Sequence, residues 1–324
     1  MCCLTARGVH RAAQRLSGIV EQTPLRYDEE RSAWLKLENL QKTGSFKVRG
    51  ALNALMAQAE QGATSAVVAA SAGNHGAGVA WAAKRLGVPA HIIVPVGAPR
   101  AKADRIAQLG ATVMRYGESF DDSLRYARAF ARSNGWRLIH AFDDPEVIAG
   151  QGTIACELAE ACPDVVVVPI GGGGLASGMG LALRAQGVRL VGAQVQGLDA
   201  MHRALRARPM LARPGSSIAD GLRVRRVGRR TQQICRQELE TIVEVSEQEV
   251  RSTMASLAVE QGLIVEGAGA VAVAALKQVS GRSKVAVVTG GNIDSMVMRS
   301  VLAGPLASAA HLSDGDNVSR RQVG

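Results

Sequence analysis

Short apolar runs alternate with amphipathic stretches along most of the chain, and that alternation predicts its elements. Val9, Ala12, Ala13 and Leu16 fall at helical spacing before Gly18, so residues 5 to 18 read as a helix, and Thr23-Pro24-Leu25 breaks the pattern. Trp34 to Glu38 alternates as a short strand, and Ala51, Leu52, Leu55 and Met56 form the apolar stripe of the next helix. Beyond Gly62 strands are expected at 66–70, 91–95, 112–114 and 138–140, separated by helices over 79–86, 100–109 and 119–133. A second set opens with a helix from Glu146 to Ala161 and the run Val165 to Ile170, apolar almost throughout, as suits a central parallel strand buried on both faces. Strands at 190–195, 242–245 and 285–288, with helices over 247–261 (capped by Ser246) and 268–278, complete it. This β-α-β-α order is that of a parallel, doubly wound α/β protein. From Ala310 the tail is polar and is expected to be disordered.

Length and composition narrow the class. With 324 residues, 47% of them hydrophobic and 3% aromatic, the chain suits one large or two medium layered α/β domains. No apolar run approaches the ~20 residues of a membrane span. Met1 to Arg7 lack the apolar core of a secretory signal, so a cytoplasmic protein is expected. The five cysteines, Cys2, Cys3, Cys156, Cys162 and Cys235, form no C-x-x-C pair and read as free thiols, with Cys156 packed on the apolar face of its helix. The formal net charge of +10 is concentrated between Arg203 and Arg236, where ten arginines meet one acid, Asp220. Without interleaved aromatic residues for base stacking, this segment reads as a solvated or subunit-facing surface and not a nucleic-acid site.

The candidate chemistry lies where strands end. Ligands of an open parallel sheet bind outside its carboxyl edge, and Gly73, Gly76, Gly171 to Gly174 and Gly290-Gly291 all fall at such ends. The tetraglycine run fits a dinucleotide fingerprint only loosely, with Ala176 in the third-glycine register. The next strand ends in Gln194 and Gln196 where an acid should bind ribose, and no Lys-Ser/Thr follows as a P-loop requires. Gly267 to Ala272 also matches the loose form and reads as close helix packing. A plain connection needs one glycine, whereas four let backbone N–H groups wrap a single phosphate. A side chain at Gly172 or Gly173 is therefore expected to weaken phosphate binding well before it weakens the fold. Lys47 lies between Gly44 and Gly50 at the start of an apolar helix; a lysine at such a place is ordinarily a solvated charge, but this one is also able to form a Schiff base. With a hydroxyl, Thr289, after the terminal strand, the ligand that explains most of these features is pyridoxal 5'-phosphate.

Ser45-Phe46-Lys47-Val48-Arg49-Gly50-Ala51, Ser71-Ala72-Gly73-Asn74-His75-Gly76 and Gly171 to Gly174 together resemble the lysine motif, substrate loop and phosphate loop of the serine/threonine dehydratase family. Ala149 to Thr153, Ile218 to Gly221 and Thr289 to Asn292 match as well, and the likeness runs from about Ile19 to Gly304. It implies fold type II of the pyridoxal-phosphate enzymes, tryptophan synthase beta-like, with two doubly wound open twisted sheets. Residues 1–65 and 145–310 would form a large cofactor-binding domain and 66–144 a small substrate-binding one, followed by the tail 311–324. It further implies that Lys47 is the Schiff-base lysine, that Phe46 packs on the pyridine ring, that Asn74 bonds the ring hydroxyl, that the amides of Gly171, Gly172, Gly173, Gly174 and Leu175 hold the phosphate, and that Thr289 faces the pyridine nitrogen. Ser71, Ala72, Gly73, Asn74 and His75 would bind the substrate carboxylate. The implied reaction is β-elimination of water from an L-β-hydroxy amino acid of threonine or serine type, giving a 2-oxo acid and ammonia. Alternatives are a bulkier or acidic substrate (phenylserine, hydroxyaspartate), an amino-acid racemase, or a non-enzymatic phosphate- or nucleic-acid-binding module. Family racemases carry a serine at the position of Ala72, and a methyl group cannot return a proton. Gln194 and Ala200 stand where cation-binding relatives have acids, so no metal is expected there, with Asp199 the one nearby acid. The expected partners are a small amino acid and further copies of the chain, as a dimer or tetramer, with no nucleic acid and no membrane. No room for a C-terminal regulatory domain is expected either.

Overall fold

A computed structural model describes residues 4–63, 65–209 and 215–303. The apolar runs become ten strands among the described residues: β1 (Leu25–Asp28), β2 (Ala33–Leu37), β3 (Val67–Ala70), β4 (Ala90–Val94), β5 (Thr112–Arg115), β6 (Arg137–Leu138), β7 (Val165–Pro169), β8 (Arg189–Val195), β9 (Thr241–Val245) and β10 (Lys284–Val288). They form two sheets, one of order β1-β2-β10-β7-β8-β9 and one of order β5-β4-β3-β6. Every pairing is parallel except β1 with β2. β7 is central and buried at every residue, with Val165 opposite Arg189 on one side and Lys284 opposite Val165 on the other. That burial explains its unbroken valine run, since each fully buried Val contributes about 1.5–3 kcal/mol.

Helices cover the sheets: α1 (Ala6–Leu16), α2 (Lys47–Ala59), α3 (Asn74–Leu86), α4 (Arg100–Gln108), α5 (Phe120–Ser133), α6 (Pro145–Gly152), α7 (Gly174–Leu183), α8 (Ala200–Leu205), α9 (Arg229–Glu238), α10 (Glu247–Gln261) and α11 (Gly267–Ala274). Ser246 caps α10 through a reciprocal bond pair with Glu249, as its position before the apolar run predicts. Helix α2 shares a core with the smaller sheet: Ala51, Leu52, Ala54 and Leu55 pack with Val67, Ala69, Val79 and Ile92.

Several sequence expectations need correction. The antiparallel edge strand β1 lies where only a break was read, and β6 is two residues long. The helix expected from Glu146 to Ala161 stops at Gly152 and continues as two 3-10 turns, Thr153–Glu157 and Ala159–Ala161. Gly152 packs so closely that an added Cβ would fall 2.4 Å from the carbonyl oxygen of Gly178, and the Thr153 hydroxyl donates to the Gly150 carbonyl at 2.8 Å. The changed pitch turns Cys156 out to solvent, so its thiol is exposed and not packed. Cys162 is exposed, Cys235 buried, and both are free. Cys2, Cys3 and the tail 311–324 lie outside the described residues.

Candidate active site

Lys47 is placed by backbone pairing. Ser45 bridges Gly290, the Phe46 N–H donates to the Thr289 carbonyl at 3.2 Å, and the Gly291 N–H donates to the Gly44 carbonyl at 3.0 Å. This stitch fixes the turn before α2 to the end of β10, bringing Phe46, Lys47 and Thr289 together. Gly44 has φ +70° and its Hα faces the Asn292 side chain, where a Cβ would lie 2.4 Å from Oδ1; glycine is required on both counts. From the other side α3 presses its Gly78 on the Lys47 backbone, where a Cβ would come within 3.2 Å of the Lys47 carbonyl carbon.

The Lys47 ammonium is half-buried and donates to one protein acceptor, the Ala141 carbonyl, at 3.1 Å, with Nζ 5.0 Å from the centre of the Phe46 ring. Burial pulls its pKa down to about 8, against an opposing pull from the carboxylate of Glu266. Two imidazoles lie near it, His75 buried and His140 half-buried. The His75 ring donates from Nε2 to the Ile139 carbonyl at 3.0 Å, and burial, reinforced by the charge of Lys47, holds its pKa at about 3. His140 accepts the Asp143 N–H at Nδ1 (3.0 Å), and burial lowers its pKa to about 4. Both rings are neutral at pH 7.

The tetraglycine run follows β7 and opens α7, with all four glycines buried. Its N–H groups at the helix mouth have no side-chain cap, and the first-turn amides have no intrahelical acceptor by the geometry of a helix start. A buried set of amide donors at a helix mouth fits a phosphate. The glycines answer to packing as well. A Cβ on Gly172 would lie 2.3 Å from the Phe142 ring, and one on Gly173, at φ +90°, would lie 2.5 Å from the Met201 methyl. The expectation that substitution spares the fold is therefore corrected. Segment 140–143 joins loop and lysine: Ala141 accepts from Lys47, Phe142 abuts Gly172, and the Asp143 carboxylate accepts the N–H groups of Arg230 (3.0 Å) and Thr231 (3.3 Å) at the start of α9. Thr231 closes the ring by donating its hydroxyl to the Gly172 carbonyl at 2.7 Å.

The remaining sequence-predicted residues gather at the same edge. Ser71 accepts the Gly73 N–H at 3.1 Å, so its hydroxyl holds the loop; Ala72 packs its methyl on the smaller core. The Asn74 side chain accepts from Asn292 and donates to Glu266, both at 2.7 Å. The Thr289 hydroxyl is buried and donates to the Ala268 carbonyl at 3.3 Å, a long bond that is easily given up. Gln194 spends its amide on Ile170, Leu198 and His202, and Asp199 pairs with Arg203 at 2.8 Å. Every described arginine of the basic segment except the half-buried Arg203 is exposed.

Four contributors escaped the sequence reading: Glu266, His140, Phe142 and Asp143. Glu266 had a signal, being one acid inside the apolar stretch Leu263 to Val273. Behind Lys47, Arg49 is fully buried and bidentate to both Glu38 (2.8 and 2.7 Å) and Glu157 (2.6 and 3.0 Å), and Lys36 joins Glu157 at 2.6 Å.

A profile of the family described as pyridoxal-phosphate dependent enzyme matches residues 16–291. The L-threonine ammonia-lyase of Thermotoga maritima is 39% identical over 320 residues, 94% of this chain and 80% of that protein. The catabolic L-threonine dehydratase of Escherichia coli is 38% identical over 300 residues, 87% of this chain and 91% of that one. The solved structure of processed threonine deaminase isoform 2 from Solanum lycopersicum superposes with a TM-score of 0.85 at 30% identity, covering 92% of this chain and 93% of that one. Maize serine racemase does so with a TM-score of 0.85 at 30% identity, covering 95% and 99%. No helix among the described residues is long and apolar enough to cross a membrane.

Proposed function

The chain belongs to the pyridoxal-phosphate dependent enzymes, and from that premise we propose that it removes water from an L-β-hydroxy amino acid of threonine or serine type, releasing a 2-oxo acid and ammonia. The observation that carries this reading is the meeting of a lysine of depressed pKa, Lys47, with a buried four-glycine helix mouth across segment 140–143. Bound there, pyridoxal phosphate supplies an aldehyde that accepts the substrate amine and an electron sink for charge left at Cα.

The residues divide the work. The N–H groups of Gly171 to Leu175 would bind the phosphate, Phe46 would pack on the ring, Asn74 would serve the ring hydroxyl, and Thr289 the pyridine nitrogen. Ser71 already holds the Gly73 N–H, so the amides of Ala72, Asn74 and His75, at the start of α3, bind the substrate carboxylate. Lys47 would hold the aldehyde, and with a pKa of about 8 its amine would be able to take the proton at Cα and give a proton to the β-hydroxyl, which leaves as water. The neutral Thr289 hydroxyl would not keep the pyridine nitrogen protonated as a carboxylate would, so the electron sink supplied would be a weaker one that suits elimination. The six-stranded sheet with its helices would serve as the large cofactor-binding domain and the four-stranded sheet with its helices as the small substrate domain, with α2 packed on the smaller sheet. A homo-oligomer is part of this reading, and light scattering on the purified protein tests it.

Maize serine racemase has the same fold, so fold does not separate dehydratase from racemase. Ala72 favours the dehydratase, because nothing at that position can carry a proton. The decisive experiment measures 2-oxo acid released from serine, threonine, phenylserine and hydroxyaspartate in both diastereomers, with chiral chromatography of the remaining substrate. Release from the L-β-hydroxy substrates supports the proposal. Interconversion of enantiomers as fast as release, or no release from any of them, sinks it.

A further inference from the structure

Glu266 is a buried carboxyl that the reaction above does not use. It stands at the start of α11, where its backbone carbonyl accepts the N–H groups of Gly269 (2.8 Å) and Ala270 (3.2 Å) while its side chain makes no cap bond and faces elsewhere. It lies close against Gly290, where a Cβ would be 2.4 Å from Oε1, and accepts the Asn74 amide N–H at 2.7 Å. Asn74 is held from its other end by Asn292, whose side-chain amide donates to Asn74 Oδ1 (2.7 Å) and to the Thr43 backbone carbonyl (2.8 Å). The chain Thr43, Asn292, Asn74, Glu266 therefore has a fixed sense. Asn292 is spent as a donor on both sides, so Asn74 must point its oxygen at Asn292 and its nitrogen at Glu266. One N–H of Asn74 remains unspent.

We infer that Glu266 is a positioning residue for Asn74, fixing through it the single donor that meets the cofactor's ring hydroxyl. This rests on the reading in which Lys47 carries the cofactor and Asn74 faces that hydroxyl. The charged groups around Glu266 are Asp220, which opposes its ionisation, and Lys102 and Lys47, which favour it, with Asn74 the bonded dipole. Burial is the largest influence and brings its pKa up to about 7, so the proton it holds is exchangeable near neutrality. Ionised, Glu266 supports protonation at Lys47 and grips Asn74; protonated, it does both less well.

The test compares Glu266→Gln, which keeps shape and a carbonyl acceptor but removes the charge, with Glu266→Ala, which removes both. In the cofactor-free full chain, the pH dependence of acylation at Lys47 is followed by peptide mass spectrometry. In the cofactor-loaded chain, the visible spectrum is titrated and cofactor affinity measured. The Glu266→Gln protein should show both pH transitions shifted downward, with affinity near wild type. The Glu266→Ala protein should in addition bind the cofactor about tenfold more weakly, the size of one lost charge-assisted bond. Transitions that superimpose on wild type in Glu266→Gln overturn the inference, and so does weakened affinity in Glu266→Ala with an unmoved pH profile, which marks a merely structural role. Because Glu266→Gln is near-isosteric, it decides the matter even if Glu266→Ala fails to fold. Lys47→Ala is run beside them: retained visible absorbance there would instead remove the reading on which the inference stands.

Discussion

His75 offers a quantitative check on how the site is kept free of extra charge. Its imidazole is buried at 3% exposure beside Lys47, and its pKa falls from an ordinary 6.5 to about 3, first through burial and then through the Lys47 charge. A folded-state pKa below the unfolded value means that the unfolded chain binds the proton first. The stability tied to His75 is thus complete above about pH 6.5 and is lost as pH falls towards 3. Between pH 7 and pH 5 the unfolded ring becomes protonated while the folded one does not, a difference of about 2 kcal/mol at 1.36 kcal/mol per unit. Glu266 works in the opposite sense, since its raised pKa stabilises the fold as pH drops through 7, so the wild-type profile alone would mislead. The His75→Gln variant separates the two. Urea unfolding of the cofactor-free protein, read by Trp81 and Trp136 beside the smaller sheet, should show wild type losing about 2 kcal/mol more than the variant between pH 7 and pH 5. Parallel pH profiles for the two proteins would refute the argument.

Lys47→Ala should fold with near-normal circular dichroism yet lose both the visible absorbance of bound cofactor and all 2-oxo acid release. Gly172→Val should lower the urea midpoint and cofactor affinity together, since its side chain meets both Phe142 and the phosphate cradle; unchanged cofactor binding would reduce the loop to a connection. Arg49→Met leaves Glu157 with Lys36 and takes from Glu38 the ion pair that it makes with Arg49, and should cost about 3–5 kcal/mol in urea unfolding, whereas a loss under about 1 kcal/mol would show that the cluster relaxes around the gap. Ala72→Ser should raise D-enantiomer formation relative to elimination in chiral chromatography, and an unaltered ratio would mean that the loop does not aim this position at Cα.

What the sequence conveyed was burial and breaks in it. The valine run of β7, the alternation through β3 to β5 and the cap at Ser246 are each written in adjacent residues, so local periodicity sufficed. The glycine loops were legible for the same reason, because four unhindered residues after an apolar run have few structural uses. Partners were not legible. Nothing near Asn74 in the sequence points to Glu266 or Asn292, which come to it across 192 and 218 residues. Phe142 likewise reads as one more apolar residue until the fold lays it on Gly172. The break of α6 at Gly152 depends on the close approach of Gly178 from another helix, a contact that helical propensity cannot report.

The start of α2 shows how one short motif produces two unlike cations. Lys47 and Arg49 are two positions apart on a helix, so their side chains leave it roughly 200° from each other. Arg49 turns into the protein and meets two carboxylates, which raise its pKa further. Lys47 turns towards the glycine loop and meets a carbonyl, two neutral imidazoles and a carboxyl that bonds Asn74, so burial dominates and its pKa drops. The same helix turn therefore anchors itself through a cation that cannot lose its proton and presents a second that can. Exchanging the residue types would undo both halves, because guanidinium stays charged at any physiological pH and forms no stable bond with an aldehyde of the kind an amine does, while a lysine at 49 has three donors where the two carboxylates and Thr153 use all of the arginine fork.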